Sequence, residues 1–290
     1  MKRVFIYLSL VIALFPGCEE VPPFIDFSEP GKVTDTNYIV TPVPPPQNKI
    51  VLIEDITGVR CVNCPTAAAK IKEIINSKSE DSVIAIALYP WPVFGSNSLS
   101  NNTIPYDGFP KLASDTSSQI VESLGIPQGL PSAYVDRHIF APQTSKPISS
   151  IGVMASLVDQ RVRLTTPVNI VLKKAVAGRK ITLDIKLQYT ETVVGNHKYA
   201  IYLTEDNIIS RQAFPTGVVD NYVHNHALKV SLDLPTGRPL TASLVPGRTF
   251  DKRYEYEVSP SINLANCHII CVITDAATGD VVNVRKIALQ

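Results

Sequence analysis

The sequence predicts a mixed α/β region over residues 49–163, followed by an all-β region over residues 165–290. Three observations support this division. A buried strand, an amphipathic helix and a second buried strand succeed one another between Ile50 and Leu88. After about Leu164, apolar and polar residues alternate in several separate runs, which is typical of strands with one solvated face. A Pro-rich segment precedes both regions.

The composition is that of an ordinary globular protein. The chain has 290 residues, and 27 Lys+Arg against 26 Asp+Glu give a formal net charge of +1. This balance provides no basic surface, so we expect no nucleic-acid partner. Five cysteines are too few for a small scaffold held together by disulfides. The sequence has no Walker loop, dinucleotide fingerprint, nucleophile elbow or zinc-protease motif, so no nucleotide or flavin cofactor is expected.

The N-terminal segment indicates an exported, lipid-anchored protein. Two cations precede an apolar run, residues 4–15, that is too short to span a bilayer, and Gly17-Cys18 follows. This order describes a signal peptide over residues 1–17. The small residue directly before Cys18 resembles a bacterial lipoprotein signal. That resemblance implies that Cys18 carries several acyl chains, palmitate among them, which together anchor a protein stably. An ordinary signal peptide with an incidental cysteine is the alternative.

Residues 18–48 are predicted to form an extended tether. Such a proline-rich composition favours polyproline conformations and does not form a core. We therefore expect this segment to lift the folded regions off a membrane. The prolines within it are Pro22, Pro23, Pro30, Pro42, Pro44, Pro45 and Pro46.

A strand–helix–strand unit forms the centre of the predicted α/β region. Residues 50–53 are continuously apolar, which is typical of a strand buried on both faces. Apolar residues at helical spacing follow Cys64, and residues 82–88 form a second buried run. Such a unit places its strands parallel, with a right-handed crossover. A third short strand is predicted at 134–136 and a closing helix at 149–162.

The predicted all-β region has about seven strands, the number expected of an immunoglobulin-like β-sandwich. Its clearest strand covers residues 181–189, where apolar residues alternate strictly with polar ones. The Cys…Trp…Cys spacing of antibody domains is absent because the only tryptophan is Trp91. The remaining runs lie near 167–176, 198–204, 226–234, 253–258, 267–274 and 281–287.

Cys61-x-x-Cys64 lies between the first buried strand and the start of the helix. A helix N-terminus stabilises a thiolate through its free N–H groups and its dipole. We therefore expect an exposed Cys61 with a lowered pKa, lowered further by the charge of Arg60, and a partly buried Cys64. This arrangement suits thiol–disulfide exchange, in which Cys61 attacks a substrate disulfide and Cys64 resolves the mixed disulfide.

At these residues the sequence resembles the thioredoxin fold, so the predicted order is a thioredoxin-like domain followed by an immunoglobulin-like sandwich. Asp55 matches the family's buried acid, which implies that it assists deprotonation of Cys64. Pro131 matches the family's cis-proline, whose backbone pairs with an extended substrate. The sequence departs from the family pattern in having Arg60 where a tryptophan often precedes the first cysteine, and Val-Asn between the cysteines.

A long insertion, residues 90–111, also departs from the minimal thioredoxin pattern. It follows the second strand, at the sheet end where this fold carries its cysteines. It is predicted to form a substrate groove or lid, or only to pack against the region. The aromatic residues in or beside it are Tyr89, Trp91, Phe94, Tyr106 and Phe109.

Over nearly the whole mature chain, the sequence is similar to the 28-kDa-type outer-membrane lipoproteins of Bacteroidota. The resemblance implies an outer-membrane location and a fold, more than an activity. The motifs that carry it, beside the lipoprotein signal, are Thr57-Gly58-x-x-Cys61-x-Asn63-Cys64-Pro65, Gly125-Ile126-Pro127 before Pro131, Tyr202-Leu203-Thr204-Glu205-Asp206 and His224-Asn225-His226.

The cysteines and histidines also have other interpretations. Cys61 and Cys64 could form a permanent structural disulfide, as export favours, or half of a zinc site. Cys267 and Cys271 are four apart on a predicted strand, about 13 Å at 3.3 Å per residue, so they are predicted to be buried free thiols. The His224-x-His226 pair could bind a metal, but a structural or surface role is predicted, and no metal site is assigned.

Three functions remain open. The first is a thiol–disulfide oxidoreductase, tethered to the outer membrane through Cys18, that acts on exported proteins with disulfides or thiols. The second is a non-enzymatic surface protein for adhesion or ligand capture, in which the CxxC is a structural disulfide. The third is an accessory subunit of an outer-membrane transporter, with an outer-membrane protein as its partner.

Overall fold

The structure is a computed structural model that describes residues 31–78, 82–92 and 97–290. It is a mixed α/β structure with several sheets, mostly strands and few helices. The predicted signal peptide and Cys18 lie outside the described residues. Within the described residues, no helix is both long enough and apolar enough to cross a membrane.

Helices and strands are mixed as far as residue 162, and the elements after it are almost entirely strands. The helices are α1 (Cys64–Ser77), α2 (Asn97–Asn102), α3 (Asp115–Leu124) and α4 (Met154–Val162), with short 3-10 turns at Ile151–Val153 and Leu264–Asn266. The strands are β1 (Gly31–Ile39), β2 (Val51–Ile56), β3 (Val83–Leu88), β4 (Ser132–Val135), β5 (Val168–Ala177), β6 (Lys180–Tyr189), β7 (His197–Glu205), β8 (Ile208–Phe214), β9 (Gly217–His224), β10 (Ala227–Ser231), β11 (Arg238–Pro239), β12 (Arg248–Glu257), β13 (Cys267–Asp275) and β14 (Val281–Ala288).

Helix α1 forms where the sequence predicts a helix. Asn63 precedes it, and Pro65 lies in its first turn, where the missing N–H of proline leaves no helical hydrogen bond unmade. Its buried aliphatic residues, Ile71 and Ile74, pack against β2 and β3. The apolar stripe therefore orients the helix on the sheet and places its first residue, Cys64, at the edge where β2 ends.

A long sheet has the strand order β14–β13–β7–β10–β3–β2–β4, with β11 added beside β7. Strands β2 and β3 are parallel, as predicted, and β4 is antiparallel to β2. A second sheet has the order β1–β12–β6–β5, and β8 and β9 form a separate hairpin. The long sheet curls until β14 reaches the start of β2, where Lys49 Nζ donates to the carbonyl of Val281 at 3.0 Å.

The two faces of the long sheet carry different cores. On one face, α1 and α4 cover β2, β3 and β4, and the second sheet covers β7 and β13. On the other face, α3 packs into a core that contains Leu52 and Ile86 together with Tyr202 and Val272. Residues from both predicted regions thus share this core.

Strands from both sides of residue 164 belong to the long sheet, so the predicted boundary there is not a break in the structure. Ala227 of β10 pairs with Ala87 of β3, and the Ala87 N–H donates to the carbonyl of His226 at 2.8 Å. The predicted strands of the all-β region are found close to their expected positions. However, β7, β10, β13 and β14 belong to the sheet of the α/β region rather than to a closed sandwich of their own.

The predicted tether is wrong for residues 31–39. These residues form β1, which pairs antiparallel with β12 at the edge of the second sheet. The physical reason is the position of the prolines, because Pro30 and Pro42 flank this segment and none lies inside it. An edge strand therefore forms between two proline-bearing stretches.

Buried charges fix the start of β2 to its neighbours. Asp136 Oδ2 lies 2.9 Å from Lys49 Nζ and 2.9 Å from Arg161 Nε. Its Oδ1 accepts the backbone N–H of Leu52 at 2.9 Å. Because both carboxylate oxygens are occupied, the burial of Asp136 is compensated by charge-assisted hydrogen bonds.

Candidate functional site

A disulfide joins Cys61 and Cys64, whose Cα atoms are 5.4 Å apart. The two cysteines lie on the turn between the end of β2 and the start of α1. Within this turn the Cys61 N–H donates to the carbonyl of Gly58 at 3.1 Å, and the Cys64 N–H donates to the carbonyl of Cys61 at 3.3 Å. The turn thus holds the pair at the end of a buried strand, as the sequence predicts.

The prediction that Cys61 is exposed at a helix N-terminus is wrong. Only 3% of Cys61 and 2% of Cys64 are accessible to solvent. Helix α1 begins at Cys64, so Cys61 lies three residues before the helix and not on its first turn. The disulfide is covered because a segment that the sequence did not predict lies over the turn.

That covering segment is strand β8 of the β8–β9 hairpin. The backbone N–H of Ala213 donates to the carbonyl of Val59 at 2.8 Å. The Gln212 side-chain amide donates to the carbonyl of Cys61 at 2.9 Å and to that of Gly58 at 3.4 Å. The hairpin is therefore bonded to the CxxC turn through both backbone and side chain. The valines Val218, Val219 and Val223 could have indicated one of its strands.

The predicted insertion also covers the turn. Arg60 donates from Nε to the carbonyl of Ile104 at 2.9 Å, and its guanidinium lies 4.1 Å from the centroid of the Tyr106 ring. Arg211 of β8 packs over the same ring and over Phe109. These cation–π contacts connect the insertion to the hairpin. The effect of Arg60 on a Cys61 thiol remains a prediction, and Phe94 lies outside the described residues.

Gly58 is required where the insertion approaches the turn. A Cβ at this position would lie 2.3 Å from the carbonyl oxygen of Asn102. The Arg60 N–H donates to that same oxygen at 3.0 Å. Packing therefore requires the glycine of the Thr57-Gly58 motif, because a side chain there would prevent the contact between the CxxC turn and the insertion.

Asp55, the predicted buried acid, is on β2 and is only 5% exposed. Burial raises the pKa of its carboxyl to about 7. Among the described residues, no hydrogen-bond donor reaches its Oδ1. A buried polar atom without a partner costs roughly 1–3 kcal/mol, so this oxygen calls for an explanation, such as an ordered water or a role in chemistry.

The second such atom is Nε2 of His224, a residue on β9 that is 2% exposed. Its Nδ1 lies 3.0 Å from the hydroxyl of Tyr89. Burial lowers the pKa of His224 to about 4, although the nearby carbonyls of Ser210 and Arg211 oppose this shift. His224 is therefore a neutral imidazole at physiological pH.

The His224-x-His226 motif is divided between two environments. His224 is buried, whereas His226 has a positive φ of 59° and its Nδ1 lies 3.1 Å from Asp206 Oδ1. The two rings therefore have different polar partners, although both residues line the cavity described below. Across the described part of the chain, no group of three His, Cys, Asp or Glu residues is placed to hold a metal ion.

A cavity of about 750 Å³ opens beside the disulfide, between α1 and the β8–β9 hairpin. Its volume lies within the range of small-molecule sites in proteins. Asp55 and His224, the residues that carry the two unpartnered atoms, both line it. Its other walls include Cys64, Ile71, Lys72, Ile75, Asn76, Tyr89, Gln212, Phe214 and Tyr222.

Pro131 lies at the same end of the sheet as the disulfide. The Leu130–Pro131 peptide bond is cis, which confirms the predicted geometry. Ser132, the next residue, pairs with Ile56 at the end of β2, which leads directly into the CxxC turn. The role of Pro131 in binding a substrate remains a prediction.

Cys267 and Cys271 are free and buried on β13, which confirms the prediction for them. Burial raises the pKa of each thiol to about 12. Both side chains belong to the core between the long sheet and the second sheet. Neither takes part in the CxxC site.

A protein-family model described as outer membrane protein Omp28 matches residues 121–290, more than half of the chain. The chain belongs to the Omp28 family of outer membrane proteins. The outer membrane is accordingly its location. No curated protein matches the chain.

Two solved structures from Porphyromonas gingivalis are similar to this Omp28-family chain. HBP35 matches with a TM-score of 0.63 and 17% identity, covering 83% of this chain and 75% of its own. A domain of the outer membrane lipoprotein Omp28 matches with a TM-score of 0.32 and 20% identity, covering 42% of this chain and 87% of its own. The first likeness supports a shared fold alone.

The Omp28 match begins inside α3, so it contains Pro131, the β8–β9 hairpin and His224. It does not contain Asp55, Cys61 or Cys64. Family membership therefore establishes the location of the protein, and the chemistry of the disulfide has to be argued from the geometry of the site.

Proposed function

We propose that this protein is an outer-membrane lipoprotein whose Cys61–Cys64 pair exchanges disulfides with exported proteins. The observation that carries the proposal is the disulfide on the β2–α1 turn, together with the buried acid Asp55, which lines the same cavity as Cys64 and has one carboxylate oxygen without a described partner. A structural staple requires no such acid. Perturbed acids in cavities next to reactive groups are typical of sites that move protons.

The arrangement of elements supports a thioredoxin-like description of residues 49–163. Parallel strands β2 and β3 are joined through α1, and β4 runs antiparallel beside β2. Helices α1 and α4 cover one face of these strands, and α3 lies on the other. The second sheet packs face to face against the long sheet, through β5, β6 and β12 on one side and β7 and β13 on the other. This packing supports an immunoglobulin-like sandwich for the later strands.

The proposed reaction has two steps when the pair is reduced. The Cys61 thiolate attacks a substrate disulfide, forms a mixed disulfide and releases one substrate thiolate, which takes up a proton. Cys64 then loses its proton, and its thiolate attacks Cys61 Sγ, breaking the bond to the substrate. The substrate gains two electrons and the protein becomes the disulfide seen in the structure. The reverse sequence oxidises a dithiol substrate.

Asp55 suits the second step because its carboxyl has a pKa of about 7. A general base acts best when its pKa lies near the operating pH. The first step requires access to Cys61, which β8 and the insertion cover. The hairpin must therefore move, or be displaced by an extended substrate segment, before exchange can begin.

The reduction potential of the Cys61–Cys64 pair, measured on the full chain, tests this proposal. Exchange enzymes have potentials of about −120 to −270 mV, whereas structural disulfides lie below about −300 mV. We expect a value in the first range and complete loss of activity on a protein disulfide in Cys61→Ser. Cys271→Ser is the matched control, because that thiol lies in the core on β13, and should keep full activity.

The alternative is a non-enzymatic binding or transporter-accessory protein with a structural disulfide. The burial of both cysteines favours it. In that case the potential would lie below about −300 mV. Cys61→Ser would then lower stability only slightly, since the closed loop is short, and partner binding would survive.

The lipid anchor is part of the proposal and has its own test. We expect Cys18→Ala to move the protein from the membrane fraction to the soluble fraction, because a thioether-linked diacyl group can no longer be attached. Cys271→Ser again serves as the control and should stay with the membrane. Retention of Cys18→Ala in the membrane would mean that another part of the chain, or a partner, holds it there.

A further inference from the structure

We propose that His224 of β9 is a positioning residue for proton transfer at Cys64. Together with Tyr89 it orders water in the cavity beside Asp55, and the proton that Cys64 loses leaves through this cavity. This inference rests on the proposed disulfide exchange. It adds a residue that belongs to the later, all-β part of the chain and that lies outside the CxxC motif.

The geometry brings the three groups to one cavity. Cys64, Asp55 and His224 all line it, and the cavity separates α1 from the hairpin. Tyr89, at the end of β3, holds the imidazole through the 3.0 Å contact between its hydroxyl and Nδ1. The carbonyls of Ser210 and Arg211 lie near the ring, but Nε2 makes no hydrogen bond to a described residue. Nε2 is therefore the nitrogen left to meet a polar occupant of the cavity.

Water is the occupant that fits these groups. A cavity holds water when it is roomy and offers several polar partners. Asp55 Oδ1 and His224 Nε2 are the two buried side-chain atoms of the described chain that have no protein partner. Asp55 and His224 line the same cavity as Cys64. This common location points to a shared function.

The charged and titratable groups around this cavity come from every element packed against it. Strand β3 leads to Tyr89, whose pKa is raised well above its ordinary value by burial and then by the charge of Asp55. Strand β9 contributes Tyr222, whose pKa is raised for the same two reasons and whose ring lies 4.8 Å from that of His224. Helix α1 contributes Cys64 and the exposed Lys72.

Beyond β9, His226 also lines the cavity, where its ring pairs with Asp206. Strand β8 contributes the neutral amide of Gln212. No carboxylate other than Asp55 is among the residues described around this cavity. Asp55 is therefore the carboxylate that shares this cavity with Cys64, and in the proposal His224 is the neutral group that holds water next to it.

The proton step balances within the exchange reaction. The Cys64 S–H bond breaks, the proton passes to the Asp55 carboxylate, and the thiolate attacks Cys61 Sγ. Asp55 then returns its proton to cavity water, and the departing substrate thiolate takes up a proton from solvent. His224 stays neutral throughout. Its contribution is to keep the water in line with Asp55 Oδ1.

The resolution step can be followed directly with dithiobis(nitrobenzoate) as the probe. One equivalent is added to the reduced full chain. Cys61 forms a mixed disulfide and releases a first nitrothiobenzoate, and attack by Cys64 then releases the second. The rate of the second release is measured from pH 5 to pH 9 for the wild type and His224→Gln. Tyr89→Phe is a second variant that removes the hydroxyl holding the imidazole.

A matched control exists elsewhere in the molecule. Tyr189 and His197 form the same kind of buried pair, with the hydroxyl 2.8 Å from Nδ1, in the core between the two large sheets. His197→Gln therefore makes the same chemical change away from the disulfide. Its pH profile should superimpose on that of the wild type.

We expect the second release at pH 7 to slow by about tenfold in His224→Gln, part of the ~10²–10⁴ that positioned proton transfer contributes. The midpoint of the pH profile should move to higher pH, and Tyr89→Phe should move it the same way. A His224→Gln profile with an unchanged midpoint overturns the inference, even if the rate falls at every pH. Failure of the wild type to act on a protein disulfide would sink only the proposed function, because the probe reacts with the cysteine pair directly.

Discussion

Two buried aspartates lie near opposite ends of strand β2, and their environments differ completely. Asp136, beside the start of the strand, pairs with Lys49 and Arg161 and accepts the Leu52 N–H. Asp55, near its end, has an oxygen with no partner among the described residues. The first carboxylate stabilises the fold, whereas the second costs stability beside a disulfide. One strand thus joins a structural cluster to a site suited to proton transfer.

The largest expected effect is the difference in the free energy of unfolding between Asp136→Asn and Asp55→Asn at pH 8. Removing the Asp136 charge leaves Lys49 and Arg161 buried without a counter-charge, so the free energy of unfolding should fall by about 3–5 kcal/mol. Removing the Asp55 charge relieves a buried carboxylate, so the free energy of unfolding should rise. Urea unfolding measures both. If the free energy of unfolding rose in both variants, or fell in both, the two aspartates would not have the different roles described here.

The next effect is the pH dependence of stability contributed by Asp55. The pKa of the Asp55 carboxyl is 3.8 in the unfolded chain and about 7 in the folded protein. The folded state therefore binds the proton more tightly. This stabilisation is fully present below pH 3.8 and is lost as the pH rises through 7, on the order of a few kcal/mol in total.

Unfolding experiments on wild type and Asp55→Asn across pH 4–8 isolate this contribution as a difference. We expect the wild type to lose stability relative to Asp55→Asn as the pH rises. A difference that stays constant with pH would mean that the Asp55 carboxyl is solvated in the folded protein.

The smallest expected effect concerns the cover over the disulfide. In Gln212→Ala the side-chain hydrogen bonds to the carbonyls of Cys61 and Gly58 are lost. Each net hydrogen bond contributes about 1 kcal/mol, so reduction of the disulfide by a phosphine should accelerate about fivefold to tenfold. Gln188→Ala, on β6 in the second sheet, should reduce at the wild-type rate. Equal rates for both variants would show that β8 does not limit access.

The sequence predicted local features of this molecule well. The buried runs at 50–53 and 82–88, the helix after Cys64 and the alternating strand at 181–189 all form, because burial periodicity determines each of them locally. The buried acid Asp55 and the cis bond at Pro131 also match, because the resemblance that indicated them rests on residues close to the motif. The strand spacing of Cys267 and Cys271 excluded a disulfide between them, and the structure shows both thiols free.

The features that the sequence did not predict depend on contacts between distant segments. Cys61 looked exposed because nothing near it in the chain indicates that β8 covers it. His224 looked structural, since its neighbours Tyr89 and Asp55 come from the other predicted region. Helix α3 was missed as well, although Ser114, whose hydroxyl accepts the Ser117 N–H, is a capping residue that could have indicated its start.

The hydrogen bond from the Ala87 N–H to the His226 carbonyl joins β3 to a strand that is synthesised much later. The long sheet can therefore be completed only after that later strand has been made. Strand β3 is made early in synthesis, but its free edge has no neighbour until the ribosome has added β10, far along the chain. Until then an apolar edge strand is open to other chains. We therefore expect a chain that lacks residues 227–231 to expose this edge to other copies.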